Sequence, residues 1–200
     1  MPSTTLLAVM TRDADSRVLL IAERAGAVLF ITALTAAAAQ ISVPLPFTPV
    51  PFTLQPVVVL VGGAVLGARL GMTSQIVYLA LGIAGLPVFA ASPTLPQGIA
   101  RLVGPTGGYL MAYPAAAFAA GWLAERGFDR RYLASVAAMA CGLAIVFAGG
   151  VSWLGLSVMP GRGLSAALAA GFYPFIVADT LKLLAAAVVL PRVWAFMGRR

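Results

Sequence analysis

Six apolar runs, separated by short hydrophilic breaks, constrain the fold of this chain most. A membrane-spanning helix needs about 17–25 predominantly apolar residues, and runs of roughly this size recur along the whole sequence. Charged residues make up only 10% of the chain, against about 25% in a typical soluble domain. The pattern predicts an all-α integral membrane protein, a compact six-transmembrane-helix bundle that forms a single membrane domain over residues 1–200. The expected spans are 25–43, 54–68, 70–86, 108–124, 133–155 and 166–190.

The arginines divide unequally between the two sides of this bundle. Only Arg101 and Arg162 fall on the side opposite the termini, whereas the other ten share the side of the termini. Because positive residues accumulate in cytoplasmic loops, both termini are predicted to be cytoplasmic. The cations are split among many short breaks without an interleaved aromatic platform, which argues against a nucleic-acid surface. The ten are Arg12, Arg17, Arg24, Arg69, Arg126, Arg130, Arg131, Arg192, Arg199 and Arg200.

One acid and the only lysine of the chain lie inside a predicted span. The acids Asp13, Asp15, Glu23, Glu125 and Asp129 are assigned to the cytoplasmic side, which leaves Asp179 as the sole intramembrane carboxylate. Asp179 and Lys182 are three residues apart and therefore share a helix face. A charge at the bilayer centre costs roughly 3 kcal/mol, so the pair is expected to face protein or a polar cavity. Ligand contact is one interpretation and a purely structural ion pair is the other; the first is favoured because buried pairs stabilise proteins poorly.

Two segments on the predicted outer side do not read as ordinary connections. Residues 42–56 contain five prolines between Pro44 and Pro56, which predicts either a stiff strap that closes over a ligand or a rigid turn. The second segment, residues 87–108, is long for a compact protein and is therefore expected to be functional. It ends in Gly107 and Gly108, whose N–H groups would lie at the start of the fourth helix, where acceptors bind well.

Several function classes lack the residues they need. The chain has no His and one Cys, so a nucleophile–base set is missing, and we expect no enzyme, no cofactor and no metal site. No nucleotide-binding motif occurs, so uphill transport would need an ion gradient or a partner. A secondary transporter that titrates Asp179 remains an alternative, although the paired halves typical of such folds are not apparent.

Four stretches in order resemble the BioY family, the biotin-specific substrate-binding (S) components of energy-coupling factor (ECF) transporters. They are Ile41–Gln55, Gly82–Ala90, Gly104–Leu110 and Ala178–Lys182. The resemblance implies high-affinity biotin binding and uptake across a bacterial cytoplasmic membrane. It also implies a partner module of one transmembrane coupling protein and two ATPases. A stand-alone facilitator of biotin remains an alternative, and self-association stays open.

The resemblance also suggests roles for individual residues. Asp179 would accept from the ureido N–H groups of biotin, while Lys182 would donate to the ureido carbonyl or pair with the carboxylate. Ala33 and Ala37 would form a docking face for the coupling protein, or else an ordinary packing face. The family often has an amide side chain near residues 89–92, but this chain has no Asn, and Ser92 is the expected substitute. The other candidates are the apolar walls Phe47, Phe52, Phe89 and Tyr109 and the polar contacts Thr53 and Gln55.

Overall fold

The computed structural model describes residues 5–10, 17–92 and 96–197. Five charged residues used in the topology argument, Arg12, Asp13, Asp15, Arg199 and Arg200, lie outside them. The protein is mostly helical, as predicted. Its helices are α1 (Leu6–Met10), α2 (Arg17–Gln40), α3 (Gln55–Leu66), α4 (Ala68–Ile83), α5 (Ala100–Val103), α6 (Gly107–Ala124), α7 (Tyr132–Trp153), α8 (Gly163–Gly171), α9 (Tyr173–Ala186) and α10 (Val189–Met197). A π-helical segment, Leu154–Val158, continues α7, and two short strands, β1 (Ser42–Val43) and β2 (Phe52–Thr53), lie between α2 and α3.

Three helical stretches within the described residues are long and apolar enough to cross a membrane. They are Arg17–Gln40, Tyr132–Val158 and Tyr173–Phe196. The helix α3 is equally apolar in character but shorter. These stretches support the assignment to the membrane.

The span predicted as one helix over 166–190 is broken in the structure. Its first part is α8 and its second part is α9, and Phe172 lies between them with non-helical backbone angles of φ −124° and ψ −59°. Pro174 stands in the first turn of α9. Because proline has no N–H to donate to the preceding turn, it begins a helix readily and interrupts one. The break matters for the site, since α9 carries Asp179.

The helix α6 lies at the centre of the bundle and packs against α3, α4 and α7. Close approach depends on glycine at these contacts: a Cβ on Gly108 would overlap the backbone of Gly149 in α7, and one on Gly63 would overlap Ala117. Small residues let helix backbones approach closely inside membranes, where dispersion replaces the hydrophobic effect between helices. The tight α6–α7 contact fixes the two helices that form one wall of the site.

The bundle has two different ends. The terminal end holds α1, the α3–α4 and α6–α7 junctions, and α10. The strap end holds the strap, defined as residues 42–54, together with the α4–α6 connection and the α8–α9 break. In the strap, Ser42 pairs with Thr53 and Val43 pairs with Phe52 in an antiparallel register. The Thr48 hydroxyl donates to the carbonyl of Ala170 at 2.6 Å, which anchors the middle of the strap to α8.

Candidate functional site

A cavity at the strap end is lined by the strap, the α4–α6 connection and the helices α3, α6, α7 and α9. Its floor comes from the helices: Tyr109 and Tyr113 lie four residues apart on α6, and Phe175 and Asp179 lie four apart on α9, so each pair shares a helix face. The strap covers one side. The full lining is Val50, Pro51, Thr53, Gln55, Pro56, Phe89, Ala90, Arg101, Thr106, Tyr109, Leu110, Tyr113, Val146, Phe147, Phe175 and Asp179.

The predicted pair of Asp179 and Lys182 forms an ion pair between Oδ1 and Nζ. Asp179 is 7% exposed and lines the cavity, whereas Lys182 does not line it. An ionised carboxylate has about four lone-pair sites on its two oxygen atoms, and the contact with Lys182 does not use all of them. The carboxylate therefore keeps acceptor capacity that faces the cavity.

Lys182 is held on its other side by the strap. Its Nζ donates to the carbonyl of Thr53 at 2.7 Å and lies 3.9 Å from the centre of the Phe52 ring. A cation over an aromatic face is attracted by the ring quadrupole. Lys182 thus joins α9 to β2 and positions Asp179.

A second cation, Arg101 from α5, lines the same cavity and is only 1% exposed. Its Nη2 donates to the carbonyl of Ala90 at 2.6 Å, but Nε and Nη1 are buried without a hydrogen-bond partner in the described part of the chain. Burial lowers the pKa of this guanidinium from its ordinary value, and the nearby Tyr78 hydroxyl opposes the shift. Arginine nevertheless stays protonated in proteins, so the cavity contains a buried cation that forms no ion pair with an acid among the described residues.

A chain of hydrogen bonds fixes the wall between α3 and the α4–α6 connection. The Gln55 side chain donates to the Tyr78 hydroxyl at 2.7 Å, and that hydroxyl donates to the carbonyl of Val88 at 3.1 Å. The Tyr78 and Phe89 rings meet edge to face at 5.6 Å. Across the cavity, the Tyr109 hydroxyl donates to the carbonyl of Gly171 at 2.7 Å, one of the carbonyls left at the end of α8. Both walls are therefore held in place by buried polar contacts.

The structure brings some of the predicted site residues to the cavity and places others elsewhere. Asp179, Gln55, Thr53, Phe89 and Tyr109 line it. Lys182 and Phe52 lie directly behind Asp179 and Thr53.

Four further predicted residues lie neither in the cavity lining nor directly behind it. Phe47 is 66% exposed on the strap, and Ser92 borders a separate groove with the strap prolines. A Cβ on Gly107 would overlap the backbone of Leu102, and one on Gly108 would overlap Trp153. These two glycines therefore allow close packing against α5 and α7, and the backbone contact with a ligand stays a prediction.

A family model, described as the BioY family, matches residues 10–199. The chain is 41% identical over 171 residues to a probable biotin transporter BioY from Pyrococcus horikoshii, covering 86% of this chain and 96% of that protein. It is 43% identical over 162 residues to a biotin transporter BioY from Thermotoga maritima, covering 80% and 89% respectively. This chain belongs to the BioY family.

A solved structure agrees with the sequence relationship. The crystal structure of the S-component for biotin from an ECF-type ABC transporter superposes with a TM-score of 0.78. The two chains are 26% identical, and the match covers 91% of this chain and 95% of the other. The predicted resemblance is thereby confirmed.

In this BioY-family chain, sequence reasoning missed several cavity residues. Arg101 was noted only as one of two arginines on its side of the membrane, and that rarity was the available signal for it. Phe175 belongs to the apolar run that precedes Asp179 by one helical turn, so its position on the Asp179 face was also predictable. Thr106, Tyr113, Val146 and Phe147 gave no local signal, because their position depends on how α6 and α7 pack.

The two alanines proposed for docking lie on an outward face of α2. Ala33 and Ala37 are exposed, whereas Thr32 and Thr35 on the same helix are buried. The Thr32 hydroxyl donates to the carbonyl of Ser74 at 2.9 Å, and the Gln75 amide donates to Thr35 at 3.3 Å. These contacts hold the inner face of α2 to α4, so the interpretation of Ala33 and Ala37 as an internal packing face does not hold.

Proposed function

We propose that this chain is a biotin-specific S component that binds biotin in the strap-end cavity. The observation that carries the proposal is the presence, in one cavity, of a buried acceptor at Asp179 and a buried cation without an acid at Arg101. Biotin offers complementary groups, namely two ureido N–H donors and an anionic carboxylate. The family membership supports the same substrate.

Charge balance assigns the two ends of the ligand. The cavity and the residues directly behind it contribute two cations, Arg101 and Lys182, and one anion, Asp179. Burying an unpaired charge is costly, and a carboxylate ligand would neutralise the excess positive charge. Because Lys182 already contacts Asp179 and the Thr53 carbonyl, we assign the biotin carboxylate to Arg101, where a planar guanidinium can bind it with two parallel hydrogen bonds.

The opposite end of biotin is assigned to Asp179. Its carboxylate accepts from the ureido N–H groups, and such hydrogen bonds to a charged group are worth about 1.5–3 kcal/mol each. The fused apolar ring packs among Phe89, Tyr109 and Phe147, which line the same cavity. The strap covers the ligand, and the Lys182–Thr53 contact couples the position of the strap to that of Asp179.

The transport arrangement belongs to the same proposal. The chain crosses the cytoplasmic membrane six times, with both termini in the cytoplasm and the cavity toward the outside. The arginine distribution supports this orientation, and the arrangement of the α8–α9 pair as one interrupted span is consistent with it. Transport is driven by a coupling protein and ATPase subunits, which the similarity to the S-component of an ECF-type ABC transporter supports.

Direct titration of the purified chain with biotin tests the substrate assignment, and saturable binding of one biotin per chain is the expected result. Reconstituted vesicles test the energy source. The chain alone should not accumulate biotin on a proton gradient, whereas addition of an ATPase-bearing module with ATP should support uptake. Accumulation by the chain alone would favour the secondary-transporter alternative.

The exposed alanine face on α2 gives a separate test of the partner. Replacing Ala37 with Leu should reduce module-dependent uptake about tenfold or more while biotin affinity changes less than twofold, because the substitution blocks close helix approach outside the cavity. The matched control is Ala185→Leu, at an exposed alanine of α9, which should leave both unchanged. Equal loss of uptake and binding in the Ala37 variant would exclude a docking role.

A further inference from the structure

A second cleft, of about 490 Å³, lies at the terminal end. It is bordered by α1, α2, the beginning of α4 and the end of α6, and none of its lining residues belongs to the strap-end cavity. We propose that this cleft binds the phosphate head group of an anionic phospholipid. The biotin assignment neither requires nor predicts such a site.

Two arginines from different helices converge on the cleft. Arg24 extends from α2 and Arg69 from α4, and both line it. In the described part of the chain, neither side chain forms an ion pair with an acid. Paired guanidinium groups without acids are the side chains best suited to bind a phosphate, because each presents several donors in a planar arrangement.

The single acid in the lining does not cancel this charge. Glu125 accepts through Oε1 from the backbone N–H of Ala68 at 2.9 Å, so its charge is directed at the first residue of α4. A further cation, Arg126, stacks on the Trp122 ring at 3.3 Å from its centre. The cleft and its rim together hold three arginines and one glutamate.

Backbone donors add to the side chains. The helix α4 is 16 residues long, and its first turn borders the cleft. The N–H of Gly71 donates to the carbonyl of Gly67 at 2.9 Å, so the N–H groups of Arg69 and Leu70 lie in the turn that precedes the regular intrahelical bonds. Such first-turn donors, together with the helix dipole, favour an anion.

The apolar part of the lining selects a lipid rather than a free anion. Phe118 is 38% exposed and Trp122 is 43% exposed, and both face the cleft from α6. Leu66 and Leu70 complete an apolar wall beside the two arginines. A ligand that fits all of these contacts has an anionic head group and an acyl chain, and tryptophan is typically found at this level of a membrane.

Native mass spectrometry of the full chain tests the proposal. The protein in detergent would be offered equal amounts of phosphatidylglycerol and phosphatidylcholine with identical acyl chains. Because basic residues attract anionic lipids, two arginines should give a preference for phosphatidylglycerol on the order of tenfold or more. The Arg24→Gln/Arg69→Gln variant should lose most of this preference.

Control variants distinguish lipid binding in this cleft from a general effect of the positive charge of the protein. Arg192→Gln removes one exposed arginine of α10 outside the cleft and should retain the preference. Each single variant, Arg24→Gln and Arg69→Gln, should show a partial loss, which keeps the test available if the double variant does not fold. Inorganic phosphate at millimolar concentration should displace little lipid, because it lacks the acyl chain.

Three results would overturn the proposal. They are equal retention of the two lipids by the wild-type chain, an unchanged preference in the Arg24 and Arg69 variants, and full displacement by inorganic phosphate. The last would assign the cleft to a free anion.

Discussion

Asp179 and Asp129 are both buried carboxylates, but one lines a cavity and the other forms a contact within the protein. Asp179 lies at the strap end, pairs with Lys182 and borders an open cavity. Asp129 lies at the terminal end between α6 and α7, is 1% exposed, and accepts a hydrogen bond at Oδ2 from the Trp194 indole N–H at 2.5 Å. That contact ties α10 to the α6–α7 junction. Burial of an acid therefore does not by itself mark a binding site; acceptor capacity that faces a cavity does.

One arginine at each end of the bundle shows a similar difference. Arg101 is enclosed in the cavity with two unsatisfied nitrogen atoms, whereas the exposed Arg130 stacks on the Trp194 ring at 4.9 Å. A ligand with hydrogen-bond acceptors can bind the two unpaired nitrogen atoms of Arg101. The Arg130 contact joins two parts of the protein and needs no ligand.

Neutralising each acid in turn should separate the two roles most clearly. Asp179→Asn should weaken biotin binding by about 2–5 kcal/mol, because one partner of a buried charged contact is lost; this corresponds to roughly 30-fold or more. Asp129→Asn is the matched control and should leave the affinity within about twofold. Isothermal titration of the two purified variants measures both, and equal losses would remove the distinction between the acids.

The second largest expected effect is a loss of protein stability when the partner of Asp179 is removed. Lys182→Met leaves a buried carboxylate without its cation and should lower the stability of the protein by about 3 kcal/mol. The double variant Asp179→Asn/Lys182→Met removes both charges and should recover most of this loss without recovering biotin binding. Thermal denaturation in detergent would reveal the pattern; a double variant as unstable as Lys182→Met would argue against an electrostatic cause.

Removing the partner of Asp129 should have a smaller effect. Trp194→Phe leaves a buried acceptor without its donor, at a cost of about 1–3 kcal/mol, and should loosen α10 without changing biotin affinity. Hydrogen exchange of α10 together with titration measures both outcomes. A loss of affinity would connect the terminal end to the cavity and weaken the comparison.

The smallest expected effect concerns pH. Burial raises the pKa of the Asp129 carboxyl from its ordinary 3.8, and the Trp194 hydrogen bond only partly offsets this. Because the folded-state pKa lies above the unfolded one, the contribution of Asp129 to stability is fully present below about pH 3.8 and is lost as the pH rises through the folded-state pKa. Asp129→Asn should remove that component, so its stability should fall less than that of the wild type between these two pKa values. Identical pH profiles would contradict the burial of this acid.

Local sequence patterns predicted the helices and part of the site. Apolar runs predicted a largely helical membrane protein, because hydrophobic length is a strong and local signal. The cost of charge in a span singled out Asp179, and the same reasoning led to Lys182. The break at Phe172 was missed although Pro174 was visible, since the apolar run continues across it without a hydrophilic residue.

Other features depend on tertiary packing and had no local signal. Charge counting assigned Asp129 to one side of the membrane but says nothing about depth, and the structure buries it beneath Trp194. Arg101 lies in a connection whose path over the cavity arises from contacts with Ala90 and the strap end. Gly107 and Gly108 were interpreted as a ligand loop, yet the same small residues are what close packing of α6 requires.

The central claim is that Arg101 binds the carboxylate of biotin while Asp179 binds the ureido ring. Titration of wild-type, Arg101→Gln and Lys182→Gln proteins with biotin and with biotin methyl ester tests it most directly. The wild type should prefer the acid by about tenfold or more, since a hydrogen bond to a charged group is worth about 1.5–3 kcal/mol. Arg101→Gln should bind acid and ester almost equally, while Lys182→Gln keeps the preference. The opposite pattern, with the preference retained in Arg101→Gln and lost in Lys182→Gln, would contradict the account and assign the carboxylate to the lysine.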